Sequence, residues 1–425
     1  MWNRANELRS SSNESPVAPA RPDRATVPRR THGRQTAALD DRLLVLDPAS
    51  GRFSVLSPSA ALILARVDGS ASIAEIASSI AAETGLTEGD LLMDVHDALV
   101  SMDAEGLIAF ELTGDDSTTC ASSSPASAPG ADRSAAPALQ PDRSAEAVRI
   151  GPIRIGATSA VVMVFARELV TALDDLLRLL PPGLPSEPVG ARIAVSRAHD
   201  GSYDVRLDES LVATVHSAAA AVDAVLTACN RIASTRSVGA VRFHGGAVAR
   251  DGRAIAICGV SGSGKSTLVA ALVRQGWEYL TDEVVVVDAL TGAVTAYPKW
   301  IDLAPDAVRL LGVGGDGVLG PGGRKHHLAP ASIGSVGDSA QLEAIVLLGD
   351  DGAAVDDPVR RVSALDAVEE LLAHVFASTF DGDDGLERVV DVCAGVPVGA
   401  LPRGELDAMT ASVDRWVNQV VRRDR

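Results

Sequence analysis

A glycine-rich segment that ends in a lysine and a serine is the part of this chain best suited to chemistry. From Gly259 to Ser266 it reads Gly-Val-Ser-Gly-Ser-Gly-Lys-Ser, which is the G-x-x-x-x-G-K-[ST] pattern of a phosphate-binding loop. Glycines let successive backbone N–H groups, and the start of the next helix, face an anion. The alternative is a glycine-rich turn with a surface lysine. The residues predicted to bind ATP are Gly259, Val260, Ser261, Gly262, Ser263, Gly264, Lys265, Ser266 and Thr267.

Two acidic residues follow the loop at a short distance along the chain. Asp282 and Glu283 stand seventeen and eighteen residues after Lys265 and open the apolar run Val284–Val287, which predicts a buried strand. Phosphoryl transfer needs Mg²⁺ between the phosphates and a group that accepts the nucleophile's proton. We therefore predict that Lys265 contacts the phosphates, that Ser266 ligates Mg²⁺, and that the acidic pair serves the metal and the proton acceptor.

Lysine is scarce, and this scarcity directs attention to the other two lysines. The chain has only Lys265, Lys299 and Lys325, so arginine fills the general surface roles and a lysine favours a place that needs a compact ammonium. Lys299, Arg324 and Lys325 are candidates for phosphate contacts, although each could equally be incidental. The glycine-rich run 312–323 suits a lid.

Composition and charge limit the class of protein to which this chain can belong. The chain has 425 residues and a net charge of −18, which disfavours nucleic-acid binding because that needs a basic face. No run approaches the eighteen apolar residues of a membrane span and no signal peptide is recognised, so a cytoplasmic location is expected. The four cysteines have no metal-ligand spacing, as expected of reduced thiols.

Two polar, low-complexity segments divide the chain. Residues 1–37 predict a disordered tail, and residues 113–146, rich in Ser, Ala and Pro, predict a flexible linker. The remaining sequence gives two folded domains, at 38–112 and 147–425. The first reads as a hairpin followed by three short helices, a winged-helix plan whose acidic third helix disfavours DNA. Such a domain could bind a peptide or serve only packing or dimerisation.

The segment 38–112 resembles the PqqD-type peptide-recognition domain of enzymes that modify ribosomally made peptides. The likeness rests on Ser-Pro-Ser-Ala-Ala, Val-Asp-Gly, Ile-Ala-Glu-Ile-Ala and Glu-Gly-Leu-Ile, in that order. The resemblance implies that an extended leader peptide adds a strand beside the small sheet and packs on the third helix. Carried onto this chain, the groove would involve the hairpin around 53–56 and the helix around Leu92, Val95 and Leu99.

The segment from about 150 to 415 resembles the HPr kinase family, which shares its core with phosphoenolpyruvate carboxykinase. The motifs are His-Gly-Gly at 244–246, the glycine-rich loop and Leu-Thr-Asp-Glu at 280–283. The resemblance implies an α/β fold with a mixed sheet, with Asp282 as catalytic base and metal-site residue, Glu283 as a second metal carboxylate and His244 orienting Asp282. HPr kinases are hexameric, which favours a homo-oligomer.

The chain also departs from that family. HPr kinases carry two aspartates where this chain has Asp-Glu, and the glutamate of their phosphorylase signature is missing from Val308–Gly312. We therefore expect an ATP-dependent serine kinase acting on a precursor peptide whose leader is bound by residues 38–112. The alternatives are a kinase or phosphorylase acting on a carrier protein such as HPr, and a nucleotide-gated peptide-binding protein without transfer.

Overall fold

The computed structural model describes residues 22–111, 147–183, 187–237, 239–313, 318–319, 325–349 and 359–423. The predicted linker 113–146 and Arg324 lie outside the described residues, as does most of the predicted lid. Contacts divide the chain into unit 1, formed by Met1–Arg34 and Ser54–Ser123, and unit 2, formed by Gln35–Phe53 and Ser124–Arg425. Each unit is described by itself.

The elements of the described residues are named in chain order. The strands are β1 Val27–Arg30, β2 Gln35–Leu39, β3 Arg42–Asp47, β4 Arg52–Leu56, β5 Ile108–Glu111, β6 Val148–Ile155, β7 Thr158–Val164, β8 Ala191–Arg197, β9 Tyr203–Leu207, β10 Ser210–Val215, β11 Ala240–Arg250, β12 Arg253–Gly259, β13 Glu278–Thr281, β14 Val284–Asp288, β15 Ala293–Thr295, β16 Ile301–Leu303, β17 Val318–Leu319, β18 His326–Leu328, β19 Ser339–Leu348, β20 Arg360–Arg361 and β21 Val398–Leu401. The α-helices are α1 Pro58–Arg66, α2 Ile73–Thr84, α3 Glu88–Ala104, α4 Val170–Leu177, α5 Ala218–Thr235, α6 Lys265–Arg274, α7 Pro305–Leu311, α8 Ala364–Leu372, α9 Gly385–Gly395 and α10 Leu406–Arg423.

Unit 1 consists of three helices and a two-stranded sheet in which β1 pairs antiparallel with β5. Its helix starts follow from local chemistry. The Ser57 side chain caps α1, and Ser72 and Glu75 form the predicted capping box at the start of α2, which satisfies two N–H groups that would otherwise lack a partner. Apolar residues of α2 and α3 face each other, and Ile76 and Leu99 are fully buried.

The strands β2 and β3 belong to unit 2, although the sequence placed β3 in the N-terminal domain and most of β2 in the tail. They pair antiparallel, and Ala37, Leu39, Leu44 and Leu46 are buried in a cluster with residues of β11 and α9. This differs from the predicted boundaries, since residues 27–39 were expected to be mostly tail. Alternate burial along β2 explains the difference, because three inward-facing positions suffice to attach a strand even when the surrounding sequence is polar.

The rest of unit 2 contains two larger sheets. A five-stranded sheet in the order β10-β9-β8-β7-β6 buries one side against α4 and α5. In the eight-stranded sheet, β12 pairs with both β11 and β19, and β14 and β15 complete a closed circuit between those two strands. Because β12 is one of the strands of this circuit, it is hydrogen-bonded on both sides, and the glycine-rich loop begins at its C-terminal end.

The described residues contain no helix that is both long and apolar enough to cross a membrane.

Candidate functional site

The glycine-rich loop, residues 259–266, connects buried strand β12 to helix α6, as the motif predicts. Gly262 and Gly264 have φ angles of 83° and 99°, where a side chain would strain the backbone. A Cβ at Gly259 would lie 2.6 Å from the carbonyl oxygen of Leu348. The glycines are thus required by conformation at two positions and by close packing at the third.

Lys265 curls back over its own loop. Its Nζ donates hydrogen bonds to the carbonyl oxygens of Gly259 at 2.8 Å and Val260 at 2.9 Å. Burial lowers the pKa of this lysine, and neighbouring Glu283 opposes the shift. The buried Oγ of Ser263 has no hydrogen-bond partner. A helix N-terminus, an ammonium and an unpaired hydroxyl at one loop fit a bound phosphate group.

Asp282 and Glu283 occupy the tight turn between β13 and β14, but their side chains have different environments. Asp282 Oδ1 accepts a hydrogen bond from the Tyr279 hydroxyl at 2.9 Å and lies 2.9 Å from Lys299 Nζ. Its Oδ2 accepts from the backbone N–H of Asp302 at 3.3 Å. The side chain of Asp282 is 1% exposed and that of Glu283 is 31% exposed. Glu283 is therefore the more accessible acid of the pair.

His244 lies beside Glu283, whereas the resemblance implied that it orients Asp282. It sits on β11, and its Nδ1 is 3.2 Å from the backbone oxygen of Glu283 and 3.7 Å from the Glu283 carboxylate. The pairing of β11 with β14 sets this neighbourhood, since His244 is directly opposite Val284. Burial lowers the pKa of His244, with the attraction of Glu283 opposing it, which favours the neutral imidazole.

A buried group of charged residues adjoins the acidic pair. Lys299 Nζ is 3.3 Å from Asp302 Oδ2 and 3.9 Å from Glu283 Oε2, in addition to its contact with Asp282. Asp302 Oδ1 lies 2.6 Å from His327 Nδ1. Although burial opposes ionisation, His327 and Lys299 keep the pKa of Asp302 well below its usual range. The site therefore contains an ionised network behind the acidic turn.

Sequence reasoning found only part of this network. The scarcity of lysine pointed to Lys299, but as a phosphate contact, whereas the structure surrounds its ammonium with carboxylates at 3% exposure. Lys325 is exposed. The contact between Asp302 and His327 carried no signal in the sequence, because it forms only through the pairing of β16 with β18. The backbone oxygen of His374 accepts a hydrogen bond from the backbone N–H of His244, and burial lowers the pKa of His374 to about 4.

A magnesium ion at the glycine-rich loop would need few protein ligands, since that ion commonly uses one or two protein oxygens together with phosphates and water. In the part of the chain that the structure describes, no three His, Cys, Asp or Glu side chains converge as a metal-binding group. Ser266 at the start of α6 and the accessible Glu283 provide oxygens of the right chemistry, so the residues present fit the ion.

In unit 1, two apolar side chains of helix α3 are exposed to solvent. Met93 and Val100 lie seven residues apart on the helix, the exposed Leu86 lies just before its N-terminus, and Met93 is 64% exposed. The predicted groove residues Val95 and Leu99 are instead buried in the core of unit 1. The sequence placed the groove on this helix without its free face, because helical spacing alone does not show which face of α3 packs on α2; the groove itself stays a prediction.

Comparisons with known proteins give a match to a family model and matches to solved structures. A family model described as "Coenzyme PQQ synthesis protein D (PqqD)" matches residues 42–108. No curated protein matches the chain. Among solved structures, the chain resembles the HPr(Ser) kinase/phosphatase from Coxiella burnetii, with 15% identity over 43% of this chain and 94% of that chain and a TM-score of 0.25. The predicted PqqD resemblance is confirmed for residues 42–108, which include parts of both units.

Proposed function

We propose that this chain is an ATP-dependent kinase that phosphorylates a serine of a ribosomally made precursor peptide. The observation that carries the proposal is the glycine-rich loop. Its lysine donates hydrogen bonds to two loop carbonyls, those of Gly259 and Val260, in the position where the motif predicts a phosphate contact. The match of residues 42–108 to PqqD supports a peptide as the substrate.

In the proposed reaction the serine Oγ attacks the γ-phosphorus, the bond to the β,γ-bridging oxygen breaks, and ADP leaves. The serine proton passes to a carboxylate of the Asp282–Glu283 turn. Lys265 would release the carbonyls of Gly259 and Val260 and donate to phosphate oxygens instead, since those charged acceptors bind an ammonium more strongly. Mg²⁺ held by Ser266 and Glu283 would supply the further positive charge that phosphoryl transfer requires.

The leader would be bound by unit 1, where Met93 and Val100 of α3, and Leu86 just before it, are exposed. Exposed apolar side chains on a helix suit contact with an amphipathic or extended peptide. Holding the leader places the modified segment near the site at an effective concentration on the order of millimolar. The catalytic unit then needs little affinity for the segment that it phosphorylates.

The test uses the full chain, MgATP and the short peptides encoded by neighbouring genes, with mass spectrometry to detect addition of one phosphoryl group. Lys265→Met is expected to abolish both peptide phosphorylation and ATP hydrolysis without peptide. Met93→Asp is expected to raise KM for the peptide about tenfold or more, since a charge replaces an apolar contact. It should leave peptide-free ATP hydrolysis unchanged.

The matched control for Met93 is Leu211→Asp, an exposed apolar residue on β10 of unit 2. It should change neither activity. Retained peptide phosphorylation by Lys265→Met would overturn the kinase proposal, and an equal effect of the substitutions at Met93 and Leu211 would overturn the leader-binding role of α3. Deleting residues 38–112 is unsuitable as a test, because β3 is part of the core of unit 2.

A further inference from the structure

We propose that Lys299 is a positioning residue of the candidate site: its buried ammonium fixes the Asp282–Glu283 turn by binding three carboxylates at once. The inference rests on the proposed function, because the turn matters only if its carboxylates take part in transfer. It assigns Lys299 no contact with the nucleotide or the peptide.

The geometry around the ammonium carries the argument. Lys299 Nζ lies 2.9 Å from Asp282, 3.3 Å from Asp302 and 3.9 Å from Glu283, and it donates a further hydrogen bond to the backbone oxygen of Trp300 at 2.9 Å. These partners come from the end of β13, from β16 and from the segment that precedes it. One cation thus ties the acidic turn to a different sheet of unit 2.

The Lys299 ammonium is the cation that offsets the negative charges of the three carboxylates around it. Three carboxylates surround a side chain that is 3% exposed, and like charges this close together in a buried place strongly disfavour one another. Removing one partner of a buried ion pair leaves an uncompensated charge, which is far more costly than the net value of the pair. Without Lys299, the turn would have to open to water or change its protonation.

The two acids of the turn have different roles in this arrangement. All the polar neighbours of Asp282, namely Tyr279, Lys299 and the N–H of Asp302, hold it inward. Glu283 touches the cation only at 3.9 Å and remains partly exposed on the side of His244. Asp282 therefore acts as the anchor of the turn, and its anchoring leaves the Glu283 carboxylate beside His244.

The experiment compares wild type, Lys299→Met and the double variant Lys299→Met/Asp302→Asn in the full chain, because Asp302 is a carboxylate partner of Lys299 that takes no part in the proposed transfer. Three measurements are made: hydrogen exchange of the backbone amides in residues 279–284, the affinity for a fluorescent ATP analogue without Mg²⁺, and the MgATP hydrolysis rate. Arg178→Met serves as the control, because Arg178 forms an exposed pair with Asp175.

Lys299→Met is expected to speed hydrogen exchange in residues 279–284 by about tenfold or more, because the turn loses its buried cation. It is also expected to slow MgATP hydrolysis by about tenfold or more, because misplaced catalytic groups lower the rate of the chemical step. Affinity for the analogue should stay within about twofold, since the glycine-rich loop is intact. The double variant removes the unpaired charge and should recover thermal stability without recovering hydrolysis. Arg178→Met should behave like wild type.

Recovery of hydrolysis in the double variant would overturn the positioning role, because the loss in Lys299→Met would then reflect stability alone. Unchanged exchange in Lys299→Met would overturn it as well. The exchange measurement needs no nucleotide, so it decides the role of Lys299 even if the wild-type chain hydrolyses no ATP, an outcome that would count against the proposed kinase instead.

Discussion

Replacing Gln35 with methionine is expected to destabilise unit 2 by about 2 to 4 kcal/mol, since it leaves a buried N–H unpaired and removes two further hydrogen bonds. Gln35 begins β2 and is 7% exposed. Its Oε1 accepts from the backbone N–H of Leu386 at 2.9 Å, and its Nε2 donates to the carbonyl oxygens of Phe380 at 3.0 Å and Gly382 at 2.5 Å. Methionine keeps the length of the side chain and removes all three bonds.

The magnitude follows from the burial of each partner. Leu386 is fully buried at the start of α9, where helix N–H groups have no partner within the helix, so its unpaired N–H costs about 1 to 3 kcal/mol. Phe380 is half-buried and Gly382 is exposed. Their carbonyls can turn to water, so each lost bond there adds only about 0.5 kcal/mol.

The assay is urea unfolding followed by tryptophan fluorescence. Three of the chain's four tryptophans, Trp277, Trp300 and Trp416, lie in unit 2, and replacing Trp2 with phenylalanine in all the proteins compared makes the signal report that unit. The control is Gln341→Met, since Gln341 donates one exposed hydrogen bond to Thr291, and it should change stability by about 0.5 kcal/mol or less. If Gln35→Met costs no more than the control, the hairpin is attached by its apolar residues alone and the reasoning fails.

Two further changes test other parts of unit 2. In Gly245→Ala the new Cβ would lie 2.6 Å from the backbone oxygen of Ile257, so a loss of about 1 to 3 kcal/mol is expected from overpacking; an unchanged urea midpoint would contradict it. Burial, with contributions from Lys265 and His244, lowers the pKa of His374 to about 4. The unfolded chain therefore takes up this proton first, and stability present above pH 6.5 is lost as the pH falls toward 4, by at most about 3 kcal/mol. His374→Gln should flatten that part of the stability curve relative to wild type, and an unchanged curve would refute it.

Local signals in the sequence predicted most elements that depend on near neighbours. Ser57, Ser72 and Gly85 mark helix ends in unit 1 as the sequence indicates, because a cap acts within four residues of the helix that it ends. The glycine-rich loop lies between a strand and a helix for the same reason. The predicted roles of its residues in binding ATP and Mg²⁺ stay predictions.

Features that depend on distant pairing could not be predicted in this way. Gln35 and Leu386 meet across 351 positions of the chain, and nothing near Gln35 indicates that its strand belongs to unit 2. Asp302 reaches His327 only because β16 and β18 pair, and no spacing along the sequence announces that contact. The buried face of α3 is a similar case. Val95 is buried and Met93 is exposed, and that choice depends on the position of α2.

The two buried lysines show how composition and structure support each other. Arginine fills the exposed cationic positions of an acidic chain, whereas Lys265 and Lys299 are both buried and both donate to backbone carbonyls. A compact ammonium can bind carbonyls and carboxylates in several directions, whereas a planar guanidinium requires acceptors in its own plane. Lys265 binds two carbonyls that a phosphate could replace, whereas Lys299 lies within 4 Å of three carboxylates of the chain itself. The first arrangement suits a residue that changes partners when a nucleotide binds, and the second suits one that keeps its partners throughout.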